Sequence, residues 1–331
     1  MLDINSKIII NPNLILKNRV IVPPMASQTA DKKGHVTQKT HNHYKRLSQS
    51  NASMIMIEYT YVHLSGKSEP NQLGIDSNEK IEGLSLLAKT IENTGALAAI
   101  QLTHSGAKSE RSSTDGRLLS PSGIAVPTKG AELEKPDIST IDDIELIKNS
   151  FLDAAIRANK AGFKIIEIHS AHGYGINQWL SPITNQRNDE YGGSIQNRSR
   201  ILLEIITSIK KELPSLVLSV RIPGMDHLEN GLTSDETIII SNLLKDAGVE
   251  LINVSSGIGG WRRPRNRYGE GYLVEDAYLI QQNVNLPVIG VGGIKTAEYI
   301  NKSLNEKKFS LAAVGRSILN DPSWGQKIGL Y

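Results

Sequence analysis

The amino-acid sequence predicts an α/β protein built as a (β/α)8 barrel, and three observations point there. Eight short apolar, β-branched runs recur along the chain, most of them apolar on both faces, as parallel strands covered by helices should be. Amphipathic helical patterns separate the runs. Polar residues gather at their C-terminal ends, where barrel enzymes carry their chemistry. A doubly wound sheet is the competing topology, but it seldom needs eight evenly supplied strands.

The eight runs are "RVIVPPM" (19–25), "MIMIE" (54–58), "LAAIQL" (97–102), "KIIEIH" (164–169), "LVLSVRI" (216–222), "ELINVSS" (250–256), "PVIGVG" (287–292) and "LAAVGR" (311–316). Between the second and third, Ile81, Leu84, Leu87, Ala88 and Ile91 make one helical stripe, which Gly95 ends. Thr140 with Asp143 has the spacing of a capping box, with Gly162 as the stop, and Thr233 with Glu236 repeats the device. "NRSRILLEIITSIKKEL" is a further helix, closed by Pro214. The longest gap, from Ser105 to Ser139, is polar and reads as a loop over the barrel mouth. No repeat or second domain stands out, so residues 1–331 are expected to form a single domain.

The 37 basic and 34 acidic residues are mixed along the chain, giving a net charge of +3 and little support for nucleic-acid or membrane-surface partners. Cysteine is absent, which excludes disulfides, thiol catalysis and cysteine-held zinc or iron–sulfur clusters. The first residues, "MLDINSKIIINPNLILKNRV", have neither a signal-peptide nor a membrane-span pattern, so a cytoplasmic location is the default.

The strand-end residues are Met25 and Ala26, Glu58 and Tyr59, Gln101 and His104, His169 and His172, Arg221, and Ser255 and Ser256. "GVGGI", with Gly292 and Gly293, follows the seventh run, and "GRSIL", with Gly315 and Arg316, follows the eighth. Glycines there let backbone N–H groups approach an anion, and Arg316 adds a fixed positive fork. Either loop alone reads equally well as a tight turn; together they point to a phosphorylated ligand. His169 and His172 stand three apart, with Tyr174 two further on. A metal pair, a catalytic pair and a structural pair all fit that spacing, although zinc lacks a cysteine or an evident third ligand and no metal is expected.

The segment "HSAHGYGINQWLSPITNQRNDEYGGSIQNRSR" (169–200) resembles the hallmark of the Old Yellow Enzyme family of flavin-dependent ene-reductases. "NRVIVPPM", "IQLTHSGA" and "AAVGRSILNDPSW" match further family segments in the right order, so the resemblance runs from about Leu14 to Ile328. It implies a barrel holding FMN without a covalent bond. The phosphate would lie on Gly292, Gly293, Gly315 and Arg316; Pro24, Met25 and Ala26 would back the ring. The Tyr59 backbone would meet the ring's carbonyl edge and Gln101 its pyrimidine end. Arg221 would sit near N1, where charge gathers on reduction.

By the same resemblance His169 and His172 become an oxyanion clamp on a substrate carbonyl. Tyr174 becomes the proton donor, with a pocket-wall aromatic as its plainer role. "RNDEYGGS" reads mainly as structural, with Arg187, Asp189 and Glu190 tying down the long loop. The implied activity is FMN-dependent and NADH- or NADPH-oxidising, reducing the activated C=C bond of α,β-unsaturated carbonyl compounds in a ping-pong cycle. The rivals are a flavin oxidoreductase acting on quinones, nitro compounds or oxygen, a low-turnover flavin sensor, and a flavin-free barrel lyase or isomerase. Expected partners are a small enone-type molecule and a nicotinamide, with a homo-oligomer left open.

Three departures stand out. Ala26 replaces the usual Cys or Thr, Tyr59 replaces a small residue, and Gln28 stands where some members have a substrate-binding tyrosine. They predict an altered flavin potential and a narrower pocket. The match ends near the last residue, so the C-terminal nucleotide-binding domain of the two-domain iron–sulfur members is expected to be lacking.

Overall fold

Alternating apolar residues close the eight runs into a barrel. In the computed structural model, which describes residues 1–128, 133–260 and 263–331, twelve strands form. They are β1 (Ile8–Asn11), β2 (Leu14–Leu16), β3 (Val20–Val22), β4 (Met54–Tyr61), β5 (Leu97–Thr103) and β6 (Leu119–Ser120), then β7 (Asp137–Ile138), β8 (Ile165–His169), β9 (Val217–Pro223), β10 (Leu251–Ser255), β11 (Val288–Gly290) and β12 (Leu311–Ala313). The closed barrel runs β3-β4-β5-β8-β9-β10-β11-β12 and returns to β3, with every pairing parallel. Each predicted run supplies one barrel strand.

Successive residues of a strand point to opposite faces. Ile21, Met54, Met56, Ala99, Ile165, Val217, Leu251, Ile289, Leu311 and Ala313 pack together inside the barrel. Their neighbours Val22, Ile55, Ala98, Ile166, Leu218, Ile252 and Val288 join the helices outside. The hairpin β1–β2, which the sequence reading had not assigned, adds Leu14 and Leu16 to the inner cluster.

The helices are α1 (Gln38–Leu47), α2 (Ile81–Glu92), α3 (Ile141–Lys160), α4 (Gly175–Leu180), α5 (Ile195–Glu212), α6 (Ser234–Asp246), α7 (Val274–Asn283), α8 (Ala297–Asn305), α9 (Arg316–Asn320) and α10 (Trp324–Lys327). Both predicted capping boxes form, Thr140 with Asp143 and Thr233 with Glu236. None of the described helices is long and apolar enough to cross a membrane.

Three boundaries needed correction. The strand at β4 continues through Glu58 and Tyr59, with a register shift between Ile57 and Thr60, so both residues lie within the strand and not after it. β3 stops at Val22 because Pro23 cannot donate a ladder hydrogen bond. β12 ends at Ala313, and Arg316 opens α9.

The excursion 105–139 is tied to the barrel mouth at several points. β6 pairs with β7, Arg111 holds Asp137 at 2.7 Å, and Val126 joins Ala107 and Ile258 in a small apolar cluster. Arg187 pins it from the other side, donating to the carbonyls of Pro121 (2.9 Å) and Ser139 (2.8 Å) while Asp189 accepts from its Nε (3.0 Å). Glu190 enters only through its carbonyl, which accepts from Arg200.

Candidate active site

Along each strand the inward face turns from apolar to polar toward the C-terminal end. Two residues beyond Ala99, Ile165, Val217 and Leu251 stand Gln101, Glu167, Ser219 and Asn253. The register sets Gln101 beside Glu167 and Glu167 beside Ser219. Glu167 accepts from Gln101 Nε2 (2.7 Å), Ser219 Oγ (3.0 Å) and Asn253 Nδ2 (2.9 Å). Burial raises its pKa, against the lowering pull of the Arg221 charge and of these donors. Arg221 is buried in turn: desolvation lowers its pKa and the Glu167 charge opposes that. Two opposite charges near one another make each tolerable inside the barrel. Glu167 was missed in the sequence, although a lone acid at an inward position of an apolar strand is a readable signal.

One register step on, His169 pairs with Arg221 across β8 and β9. The His169 and His172 rings meet edge to face with centroids 5.0 Å apart, and Tyr174 lies 5.0 Å from His169. Burial lowers both imidazole pKa values well below the usual range, and the Arg221 and Lys108 charges add to the effect, so both rings are neutral at pH 7. A neutral imidazole has one N–H, and its partners decide where that proton sits. The Ala171 N–H donates to His169 Nδ1 (3.4 Å), which leaves the proton on Nε2. Arg221 Nη2 donates to Ser255 Oγ (3.4 Å), and Ser255 Oγ meets His172 Nε2 at 2.6 Å; with the serine proton on that contact, the His172 proton lies on Nδ1.

Ser255 is thus placed to set the His172 tautomer. In the enone reduction proposed below, Ser255→Ala should weaken carbonyl polarisation about tenfold in rate, the worth of one hydrogen bond near 1.4 kcal/mol. Stopped-flow oxidation of the reduced protein by an enone measures it, and a rate equal to the parent's would show that Ser255 does not orient His172.

Beside this group a cavity of about 780 Å³ opens over β3, β9, β11 and β12. Pro24, Met25, Arg221, Gly293, Gly315 and Arg316 line it, joined by Lys295, Arg263 and Tyr272, which the sequence reading had not singled out. FMN fits this lining. Four cationic side chains suit a phosphate and a ring that becomes anionic. Among the described residues, Arg221 Nε is buried without a hydrogen-bond partner. A Cβ on Gly315 would come 3.1 Å from Met25 Sδ, and one on Gly293, at φ +71°, 3.1 Å from Arg316 Nη2, so both glycines keep the cradle open.

Four expected cofactor residues lie outside this lining. The Gly292 carbonyl accepts from the Gly271 (2.7 Å) and Tyr272 (3.1 Å) N–H groups. Gln101 belongs to the Glu167 network. Ala26 precedes Ser27, whose N–H donates to Glu58 (2.7 Å), so buried Glu58 positions that turn. The Tyr59 carbonyl accepts from Gln72 Nε2 (3.0 Å), and its ring lies 5.5 Å from that of Tyr174. His104 is a buried loop anchor: Gly106 N–H donates to Nδ1 (3.1 Å), Nε2 meets Ser65 Oγ (3.0 Å), and burial lowers its pKa to about 3. Ser256 enters through its carbonyl, which accepts from the His172 N–H (3.0 Å). Among the described residues no cluster of three His, Cys, Asp or Glu could hold a metal ion.

The model of the NADH:flavin oxidoreductase / NADH oxidase family matches residues 8–330. An NADPH dehydrogenase of Clostridium acetobutylicum is 38% identical over 315 residues, covering 94% of this chain and 90% of its own. An NADH oxidase of Thermoanaerobacter brockii is 36% identical over 322 residues, and the chain spans 49% of that protein's length. Among solved structures, morphinone reductase in complex with tetrahydroNAD superposes with a TM-score of 0.83 at 22% identity, over 99% of this chain and 92% of its own. The Old Yellow Enzyme homologue of Zymomonas mobilis gives 0.84 at 20%, over 98% and 92%. Those likenesses carry the fold, and the sequence matches carry the rest: the chain belongs to the NADH:flavin oxidoreductase / NADH oxidase family and is an FMN-dependent NAD(P)H oxidoreductase.

Proposed function

We propose that the protein reduces the activated C=C bond of α,β-unsaturated carbonyl compounds. The observation that carries this is the pair of neutral, buried imidazoles beside Tyr174. FMN, when bound, supplies the hydride, having taken it from NADH or NADPH. His169 Nε2–H and His172 Nδ1–H donate to the substrate carbonyl oxygen, drawing electrons from the double bond and steadying the developing enolate. Fixed neutral donors do this without reorganising as charge grows. Tyr174 gives its proton to the α-carbon. Burial raises its pKa, the Glu69 charge adds to the rise, and the Ser68 and Tyr59 hydroxyls pull it back, to a net value of about 12. Arg221 sets a positive charge at the cavity wall.

A second reading has its own support: one relative is named an NADH oxidase, which favours oxygen as the acceptor. NADPH oxidation with and without 2-cyclohexenone, in air and under nitrogen, decides between them. The proposal expects a clear anaerobic rate with the enone; oxidation that needs air and ignores the enone sinks it.

A further inference from the structure

The stretch "WRRPRNR" (261–267) carries four arginines within seven residues, in the loop between β10 and α7. Arg263, Arg265 and Arg267 line a second cavity, of about 510 Å³. Ser256, whose carbonyl accepts from the His172 N–H, lines it too. Arg263 also belongs to the lining of the larger cavity that fits FMN. The second cavity therefore adjoins both the histidine pair and the flavin cavity.

Its charges do not balance. Asp226 is buried and accepts from Ser181 Oγ (2.6 Å) and from the N–H groups of Ile258 (2.7 Å) and Leu232 (2.8 Å). Asp276, on α7, takes Arg267 Nη2 (2.9 Å) and His227 Nε2 (3.1 Å). Exposed Glu229 is the remaining acid among the described lining residues. Against it stand Arg263, 4.8 Å from the Tyr268 ring centroid, and Arg265, which has no partner among the described residues. The loop around them is held in place. Pro264 fixes one backbone dihedral, Arg267 ties the loop to α7, and Glu270 accepts the N–H groups of Lys295 (2.8 Å) and Thr296 (2.9 Å).

The reductant brings a matching anion. Its nicotinamide must lie on the flavin for hydride to pass, so its adenosine end has to leave along one wall of the mouth. NADPH differs from NADH by one phosphate monoester on the adenosine ribose, with a charge of roughly −1.5 to −2 at neutral pH. A guanidinium offers a planar fork that meets such a group through two parallel hydrogen bonds.

We propose that the second cavity is a phosphate-monoester site for the 2′-phosphate of NADPH, with Arg265 as its principal cation, and that it makes NADPH the preferred reductant. It concerns the reductive half of the cycle alone, so it stands or falls separately from the enone reading.

The test is anaerobic stopped-flow reduction of the FMN-loaded protein over a range of NADPH and NADH concentrations, which separates Kd from limiting rate. The parent should bind NADPH at least about tenfold more tightly than NADH, the lower end for a charged hydrogen bond. Arg265→Ala should remove most of that ratio by weakening NADPH, while NADH binding and both limiting rates stay close to the parent's. Glu229→Gln, which removes the remaining acid, should raise the ratio. Calorimetry adds a readout free of turnover: adenosine 2′,5′-bisphosphate should bind the parent more tightly than ADP and lose that advantage in Arg265→Ala. Equal Kd values for the two reductants in the parent overturn the proposal. So does an Arg265→Ala variant that keeps the parent's ratio or loses both reductants alike. Parent-like NADPH binding with slowed reoxidation by a carboxylate-bearing enone, but not by 2-cyclohexenone, assigns the arginine to the acceptor and overturns it too. Should Arg265→Ala fail to hold FMN, Glu229→Gln decides, and an unchanged ratio there overturns the site.

Discussion

Replacing His169 or His172 with alanine should slow enone reduction by roughly 10²–10³-fold, the cost of removing one oxyanion-hole donor, about 2.7–4 kcal/mol. Both rings are neutral and buried, with Ala171 N–H on His169 Nδ1 and Ser255 Oγ against His172 Nε2, so each has one N–H to supply. Reduction of the bound FMN by nicotinamide should suffer much less, because the substrate oxygen takes no part in it. The same donors should hold a phenolate, so p-hydroxybenzaldehyde should give a broad long-wavelength absorption band with the oxidised protein. That band should fade in both histidine variants and survive in Tyr174→Phe. Parent-like binding and parent-like rates in both histidine variants would make the pair structural.

Arg221→Met should have two separable effects. The reduced ring loses its counter-charge, which at roughly 1.5–3 kcal/mol per charged hydrogen bond lowers the two-electron midpoint potential by about 30–65 mV. Glu167 meanwhile stays buried without the opposite charge that steadies it, which should lower stability. Redox titration reads the first and thermal unfolding the second. An unchanged potential would place Arg221 away from the ring even if the variant unfolds early. The double change Arg221→Met with Glu167→Gln should regain stability but not potential.

Much of the barrel was legible because its signals are local. A run such as "KIIEIH" shows its strand by composition, and Thr140 with Asp143 marks a helix start within four residues. β1–β2 escaped notice because its strands are short and half exposed, with Ile9 and Ile15 facing solvent. The length of β4 was misjudged because a bulge follows Ile57, and a register shift leaves no mark on composition. The histidine pair was legible as a motif but ambiguous in role. Its neighbours Ser255 and Arg221 come from other strands, far along the chain.

The sequence by itself determined the eight barrel strands, the helices α2, α3, α5 and α6 and the candidates at the strand ends, since alternation, helical period and caps act over a few residues. Only the tertiary structure decided that Glu167 gathers Gln101, Ser219 and Asn253, that Ser255 meets His172, and that Tyr59 lies on Tyr174. Those contacts depend on which strands become neighbours and in what register. Closure of the whole barrel sets that register, and no single segment can encode it.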